Sequence, residues 1–284
     1  MEIKQAGVVG CGLMGSGITQ VCAQAGFPVI VSEINDAALK KGLASIESRL
    51  AREVEKGRLE AADKDAIFAR IKGTTDMKDF AGCDIVIEAA TEDLELKKKI
   101  FATLDEVCAP EAILASNTSG QAIMDIAVAT KRLENVVGMH FFNPAPLMKL
   151  VEVIHTIATS EASLQRAKAF VKAIGKTPAV AKDTPGFIVN RLGTPFMLEA
   201  IRMLDDGIAT RDDIDNAVVL GLNHPMGPLQ ILDLIGLDSV LKVVTTMYDQ
   251  FKDPHYAPPN LLRKMVAAGW YGRKSGKGFY EYNK

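Results

Sequence analysis

Hydrophobic and polar residues follow two patterns along the chain, and the first covers roughly the first 180 residues. There, short β-branched apolar runs alternate with longer amphipathic segments. The runs are predicted strands at residues 3–9, 28–32, 85–88, 112–116, 136–139 and 150–154. Helices are predicted at residues 18–25 and 35–56, the second extending as a helical hairpin through residues 63–72. Buried strands separated by helices indicate a parallel sheet covered on both faces, the Rossmann-type doubly wound α/β arrangement.

The second pattern begins after residues 183–186, where strand signals become rare. Thr210 followed by Asp213 fits a helix-starting capping pattern, with Asp in place of the usual Glu or Gln. Apolar residues recur at helical spacing over residues 187–205, 210–220 and 229–251. We therefore predict two domains, a Rossmann domain over residues 1–184 and an all-helical domain over residues 185–284.

Composition and charge narrow the class of protein. Of 284 residues, 48% are hydrophobic and 24% charged, as in an ordinary soluble globular protein. The net charge of -2 gives no global reason to expect nucleic-acid binding. No apolar run approaches the roughly 18 residues of a spanning helix, and the N-terminal residues leave no room for a signal peptide before a glycine-rich turn. We therefore expect a cytoplasmic protein that binds neither nucleic acid nor membranes.

The four cysteines give no sign of a metal site or a disulfide. They show neither a CxxC pair nor paired histidine spacing, and they are Cys11, Cys22, Cys83 and Cys108. This distribution favours small core residues in a reducing compartment. We expect no metal.

A glycine fingerprint, GCGLMG, lies between the first predicted strand and the first predicted helix. Gly10 permits the tight turn, Gly12 lets the backbone approach a pyrophosphate, and Gly15 allows close packing of helix on strand. Glu33 ends the second predicted strand, 23 positions past Gly10, where a carboxylate can accept hydrogen bonds from a ribose. The same carboxylate would repel a 2′-phosphate and so favours NAD over NADP. The residues expected to bind NAD are Gly10, Gly12, Leu13, Met14, Gly15 and Glu33.

His140 and Glu152 are candidates for proton transfer. His140 follows the predicted strand at 136–139, at the carboxyl end where doubly wound sheets place their ligands. Glu152 interrupts the apolar run at 150–154, where a buried carboxylate is costly unless it has a partner. A Glu beside an imidazole fixes the tautomer and stabilises the protonated ring, as a general base requires. The alternatives are a structural histidine and an edge-strand Glu that faces water.

Two polar residues could contact a substrate. Ser119 lies in Ser116-Asn117-Thr118-Ser119-Gly120, which follows a predicted strand and could equally be a helix cap. Asn190 is the only polar side chain early in an otherwise apolar predicted helix, and a surface or capping role is open for it too.

Several motifs together closely resemble the L-3-hydroxyacyl-CoA dehydrogenases, especially the bacterial 3-hydroxybutyryl-CoA dehydrogenases. The resemblance extends over essentially the whole chain, and HFFNPAP followed by KLVE is far more specific than the glycine fingerprint. The motifs are GCGLMGSG at 10–17, SNTS at 116–119, MHFFNPAP at 139–146, KLVE at 149–152, PGFIVNR at 185–191, HPMGP at 224–228 and GRKSGKGFY at 272–280.

The resemblance implies an NAD-dependent oxidoreductase of acyl-CoA metabolism, of fatty acids or butanoate, that forms a homodimer through its helical domain. It implies His140 as base, Glu152 as its partner, and Ser119 and Asn190 as substrate contacts in a cleft between domains. It adds cofactor roles for Glu92, Lys97, Asn143 and Lys274. Two local departures are Glu33, where an Asp is common, and Gly120, where many relatives have a second Ser.

A basic segment could hold the coenzyme A phosphates. Arg52 and Lys56 are four residues apart and share one face if the segment is helical. Relatives resembling this chain carry lysines at these positions, but Glu53 and Glu55 alternate with the bases, so a solvated face is the alternative.

Two other functions stay open. A short 3-hydroxyacid dehydrogenase shares the two-domain plan, but by family resemblance it relies on a lysine near the start of the helical domain, where this chain has Asn190-Arg191. The second is a non-catalytic NAD(H)-binding protein such as the crystallins of this superfamily. The combination of His140, Glu152, Ser119 and Asn190 argues against that alternative.

Overall fold

The computed structural model describes residues 2–282 and contains two compact units, Met1–Thr184 and Pro185–Lys284. In the first unit, eight strands form a single sheet in the order β3-β2-β1-β4-β5-β6-β7-β8. The strands are β1 Ala6–Val9, β2 Val29–Ser32, β3 Ile71–Thr74, β4 Ile85–Glu88, β5 Ile113–Ser116, β6 Val136–Phe141, β7 Leu150–His155 and β8 Thr177–Lys182. The helices of this unit are α1 Leu13–Gln24, α2 Asp36–Glu55, α3 Ala61–Ala69, α4 Leu94–Val107, α5 Ile123–Ala127 and α6 Glu161–Ala173.

The central strands are the apolar runs of the sequence. Every residue of β1, β2, β4, β5 and β6 is buried, as a sheet covered on both faces requires. These five strands pair with one another in parallel. Their carboxyl ends therefore meet at one edge, which is where the functional residues of this unit are found.

The sheet departs from the predicted all-parallel arrangement at one side. β7 is antiparallel to β6, and β8 is parallel to β7. The prediction missed this because β6 and β7 are joined by a short connection of eight residues, 142–149, instead of a crossover helix.

Two edge strands, β3 and β8, were not predicted. β3 occupies residues 71–74, so the predicted helical hairpin through 63–72 is wrong at its end, where α3 stops at Ala69. Neither strand is buried along its length, since β3 has one buried residue and β8 has none. β8 also contains Pro178, which an edge strand tolerates. An edge strand of this kind lacks the continuous apolar run on which the prediction depended.

The second unit is helical, with a core of its own built around Leu198, Leu229 and Val244. Its helices are α7 Val189–Asp205, α8 Arg211–Gly221, α9 Pro228–Ile235, α10 Leu237–Phe251 and α11 Asn260–Ala267. Thr210 caps α8 by accepting from the Asp213 amide at 3.2 Å, as the sequence predicted. The apolar segment 229–251 contains two helices, because Gly236 between α9 and α10 has φ of 101°. No helix in residues 2–282 is long and apolar enough to cross a membrane.

Candidate active site

The glycine fingerprint forms a turn from β1 into α1 that leaves room for a phosphate group. Gly10 has φ of 92°, and a Cβ on Gly15 would collide with the Gly10 carbonyl oxygen. A Cβ on Gly12 would meet nothing within 4 Å, and α1 starts beside it without a side-chain cap. The first residues of that helix, Leu13 and Met14, face outward in part. An open helix N-terminus of this kind suits a dinucleotide pyrophosphate.

Glu33 follows β2 and bridges to this turn. Its Oε1 accepts from the Cys11 amide at 2.8 Å, and its Oε2 accepts from the Ile34 amide at 3.0 Å. The carboxylate therefore lies beside the turn, as a ribose ligand must. It also fixes the turn through Cys11, a structural role that sequence reasoning missed.

His140 and Glu152 are brought together by strand pairing. They are direct cross-strand partners in the β6–β7 ladder, and His140 Nδ1 lies 2.6 Å from Glu152 Oε2. Glu152 is fully buried and His140 is 6% exposed. The alternative of a water-facing edge Glu is wrong, because β7 lies between β6 and β8. His140 also lies within β6 instead of after a strand ending at Met139.

The orientation of the imidazole follows from this contact. Because Nδ1 faces the carboxylate, it carries a proton that it donates to Glu152, and Nε2 is then the nitrogen that exchanges a proton with a substrate. The ring of Phe142 packs against the ring of His140, with centroids 4.5 Å apart. The geometry is that of a general base held by a buried carboxylate.

A buried ion pair lies under the neighbouring strand ends. Glu88, the last residue of β4, accepts two hydrogen bonds from the Lys97 ammonium, at 2.8 and 2.9 Å. It also accepts from Ser116 Oγ at 2.7 Å and from the Ala90 amide at 2.8 Å. Lys97 is 1% exposed and Glu88 is fully buried. The structure thus gives Lys97 a structural contact, and its cofactor role stays a prediction.

Glu92 connects this ion pair to Ser119. Its Oε1 accepts from the amide of Ser119 at 3.0 Å and from the hydroxyl of Ser119 at 3.3 Å. Its Oε2 accepts from Thr118 Oγ1 at 2.7 Å and lies 3.6 Å from the Lys97 ammonium. Burial favours a higher pKa for Glu92, but Lys97 and the hydrogen bonds outweigh it and lower the pKa overall. Glu92 therefore stays ionised and holds the turn that carries Ser119.

Asn117 is a site residue to which sequence reasoning gave no role. Its Oδ1 accepts from the Phe141 amide at 2.9 Å, one residue past His140. This bond ties the turn after β5 to the end of β6. The available signal was an asparagine directly after a buried strand and two residues before Ser119.

The remaining predicted residues are exposed or half-buried in their units. Asn143 is exposed in the connection after β6, and Arg52 and Lys56 are exposed at the carboxyl end of α2. In the second unit, Asn190 is half-buried in the first turn of α7, and the Lys274 ammonium donates to Asp238 at 2.6 Å. Among residues 2–282, no group of three or more His, Cys, Asp or Glu side chains could hold a metal ion.

Comparison with known proteins decides the family. Residues 5–184 match the family model for the 3-hydroxyacyl-CoA dehydrogenase NAD binding domain, and residues 186–282 match that for the C-terminal domain. The chain belongs to the 3-hydroxyacyl-CoA dehydrogenase family. It is therefore an NAD-dependent oxidoreductase, as the sequence predicted.

Members of the 3-hydroxyacyl-CoA dehydrogenase family from several organisms are similar over most or all of their length. A 3-hydroxybutyryl-CoA dehydrogenase of Mycobacterium tuberculosis is 46% identical over 282 residues, which cover 99% of each chain. The human mitochondrial hydroxyacyl-coenzyme A dehydrogenase is 42% identical over 287 residues, which cover 99% of this chain and 91% of that protein. The crystal structure of a (S)-3-hydroxybutyryl-CoA dehydrogenase from Ralstonia eutropha matches with a TM-score of 0.97, 46% identity and full coverage of both chains.

The first alternative function has weaker support. A solved 3-hydroxyisobutyrate dehydrogenase from Salmonella typhimurium matches with a TM-score of 0.62 but only 18% identity, and it covers 94% of this chain and 95% of that chain. Such a match shows a shared fold alone. The family match instead favours an acyl-CoA dehydrogenase over a short hydroxyacid dehydrogenase.

Proposed function

We propose that this enzyme interconverts (S)-3-hydroxybutyryl-CoA and acetoacetyl-CoA with NAD as the hydride acceptor. The observation that carries the proposal is the buried pair of His140 and Glu152, 2.6 Å apart at the edge of the sheet where the dinucleotide turn also lies. Relatives that are 45–46% identical over nearly the whole chain bear the name 3-hydroxybutyryl-CoA dehydrogenase.

His140 is the base in this proposal. In the oxidation, Nε2 takes the proton of the substrate hydroxyl, and the imidazolium that results is stabilised by the Glu152 carboxylate at Nδ1. A bound nicotinamide would accept the hydride from the carbon that carries this hydroxyl. In the reduction, protonated His140 donates its Nε2 proton to the ketone oxygen. One proton and one hydride are transferred in each direction.

Ser119 and Asn190 are the proposed substrate contacts. The turn of Ser119 is fixed by Glu92 through both its amide and its hydroxyl, so its side chain is held in place before a substrate binds. Preorganisation of this kind favours catalysis because little reorganisation accompanies the reaction. Asn190 lies in the first turn of α7 and would provide a further amide for the substrate oxygens.

The fingerprint turn of the first unit fits NAD. The open turn at Gly12 would receive the pyrophosphate, Glu33 the adenosine ribose, and Glu92, Lys97, Asn143 and Lys274 the remaining contacts. Lys97 is buried and paired with Glu88, and its ammonium also lies 3.6 Å from Glu92. We therefore propose that Lys97 positions Glu92 for the cofactor, in addition to any direct contact of its own.

The deciding experiment is a substrate comparison. NADH oxidation, followed by absorbance, should be rapid with acetoacetyl-CoA and near background with free acetoacetate. Equal rates with both compounds would indicate a short hydroxyacid dehydrogenase. No oxidation of NADH with either, in a protein that still binds NADH, would indicate a non-catalytic binding protein.

We further propose a cytoplasmic homodimer formed through the second unit. That unit carries large apolar side chains in solvent, among them Leu192 at 72% and Leu220 at 81% exposure. Leu192→Asp should shift the protein to a monomer in analytical ultracentrifugation. The matched control is Ile157→Asp in the first unit, which is 99% exposed and should leave the mass unchanged. A parent protein that sediments as a monomer would contradict the proposal.

A further inference from the structure

The connection between β6 and β7, residues 142–149, joins the strands of His140 and Glu152. It starts at Phe142, whose ring contacts the His140 ring, and continues into Asn143. Its own backbone bonds include those from the Leu147 and Met148 amides to the Pro144 carbonyl, both 3.0 Å. The placement of this connection therefore bears directly on the catalytic pair.

A lysine from outside the connection binds its backbone three times. Lys176, just before β8, donates from Nζ to the carbonyl oxygens of Ala145 at 2.8 Å, Pro146 at 3.2 Å and Met148 at 2.7 Å. An ammonium has three N–H donors, so these bonds use its full capacity. Burial lowers the pKa of Lys176, as expected for a cation whose partners are neutral.

The connection also packs on α1. Ala145 is 3% exposed, and a Cβ on Gly17 of α1 would come within 3.1 Å of the Ala145 Cβ and 3.3 Å of the Pro146 Cδ. Because α1 begins at the dinucleotide turn, this contact joins the connection to the helix that follows that turn. Its position is thus set relative to the cofactor turn as well as to the catalytic strands.

We propose that Lys176 is a positioning residue for the reaction. Its ammonium donates to three carbonyl oxygens of the connection and so holds the ring of Phe142 against His140. The same bonds hold Asn143 in position to contact the cofactor, a part that rests on the proposed function. The strand pairing does not need this side chain, because the Thr177 amide donates to the Lys149 carbonyl at 2.8 Å through the backbone alone.

Chemical replacement of the ammonium tests this proposal. Lys176→Cys removes the cation, and 2-bromoethylamine then converts the new thiol to S-aminoethylcysteine, which restores an ammonium at nearly the same length. Methyl methanethiosulfonate gives a neutral adduct for comparison. All four native cysteines are buried, so the reagents are selective for the introduced thiol. Lys172→Cys, an exposed position on α6, is the matched control.

We expect Lys176→Cys to weaken NADH binding and to lower kcat/KM for NADH by about 10²-fold, as a displacement near 1 Å at a reacting site can. Aminoethylation should restore most of this loss, and the neutral adduct should restore none. Lys172→Cys should be normal before and after each treatment. NADH affinity is read from fluorescence titration without an acyl substrate, so a wrong substrate assignment would affect only the turnover assay.

Two outcomes would overturn the proposal. The first is a Lys176→Cys protein with normal NADH affinity and turnover. The second is a folded variant whose defect persists after complete aminoethylation. If Lys176→Cys does not fold, Lys176→Arg provides the second measurement, since it keeps the charge and several donors. Lys176→Arg should then retain more NADH affinity than Lys176→Gln, and equal losses in the two would show that the charge plays no part.

Discussion

A carboxylate with no exposed surface, such as that of Glu152, is stable only with a partner that satisfies it. His140 is that partner, and the benefit is reciprocal because the carboxylate stabilises the imidazolium formed during proton transfer. The pair is thus a structural and a chemical unit. Substitution of either residue should separate the effect on folding from the effect on proton transfer.

His140→Gln should lower turnover by about two to four orders of magnitude, the usual contribution of general acid–base catalysis. The amide can still donate a hydrogen bond to Glu152, so the fold and NADH affinity should be kept. Glu152→Gln should lower turnover too, because the imidazolium loses its counter-charge. Stopped-flow rates with acetoacetyl-CoA and fluorescence titration of NADH are the measurements. Near-normal turnover in His140→Gln would refute the mechanism.

Cofactor choice depends on Glu33. Its carboxylate should repel the 2′-phosphate of NADPH, and so NADH should be much the better substrate in kcat/KM. Glu33→Gln should narrow this difference while its side-chain oxygen still accepts from the Cys11 amide. Glu33→Ala removes both functions and serves as the comparison. Equal kcat/KM for NADH and NADPH in the parent enzyme would show that Glu33 does not bind the ribose hydroxyls.

Residue-level prediction from sequence succeeded where a residue type conflicted with its surroundings. Glu152 stands in an apolar run, and this conflict indicated a buried partner correctly. Lys97 gave no such signal, because its partner Glu88 lies nine residues earlier at the end of an apolar strand. The three carbonyl partners of Lys176 could not be predicted from the sequence. Every residue has a backbone carbonyl, so the side chains do not show which carbonyls will accept a hydrogen bond.

At the scale of elements, the carboxyl end of α2 carries the residues proposed to bind the coenzyme A phosphates. It ends in a basic region where Arg52 is in the last turn and the Lys56 amide donates to the Arg52 carbonyl at 3.1 Å. Both side chains are exposed, and Lys56 lies 4.0 Å from Glu53, a distance that gives little net stability at a surface. A solvated basic face and a phosphate site are both consistent with this arrangement.

Arg52→Ala and Lys56→Ala should raise KM for acetoacetyl-CoA if they bind the coenzyme A phosphates. The penalty should shrink at high salt, because exposed charges are screened. Lys40→Ala, exposed near the opposite end of the same helix, is the control and should change nothing. An analogue truncated before the phosphates should be indifferent to the substitutions. An equal penalty on that analogue would disprove the phosphate assignment.

Elements were predictable in proportion to their burial. Both ends of β4 were predicted correctly, because three of its four residues are apolar and all four are buried. The edge strands β3 and β8, which are only partly buried, were missed, and the separation of α9 from α10 depends on one glycine with positive φ. The reversal of β7 is a property of a short connection and of no residue within the strand.

At the scale of the whole molecule, the buried cysteines make the stability of the fold depend on pH. Burial raises the pKa of Cys11 and Cys108 to about 11 and that of Cys22 and Cys83 to about 12, with charges nearby modifying the shifts. In the unfolded chain these thiols ionise near pH 9. The folded protein thus keeps protons that the unfolded chain has lost, and its stability should fall as pH rises from about 9 to about 12.

Thiol titration and denaturation test this expectation together. Ellman's reagent at pH 8 should find almost no reactive thiol in the native enzyme and four after unfolding in guanidinium. The free energy of unfolding, measured at several pH values, should decline above about pH 9, and replacement of Cys22 by Ala should weaken the decline. A rapidly reacting native thiol would contradict the burial on which the prediction rests.

The antiparallel pairing of β6 with β7 also decides which changes of chain length the enzyme can tolerate. A residue inserted within β6 ahead of His140 would turn the imidazole to the opposite face of the sheet, away from Glu152. A cut within residues 142–149 would leave the ladder intact, because the pair is aligned by hydrogen bonds between strands and not by the peptide that connects them. A circular permutant opened in this connection should thus keep the contact between His140 and Glu152 but lose the fixed positions of Phe142 and Asn143. Its kinetics would show how much the catalytic pair achieves without the connection that joins its two strands.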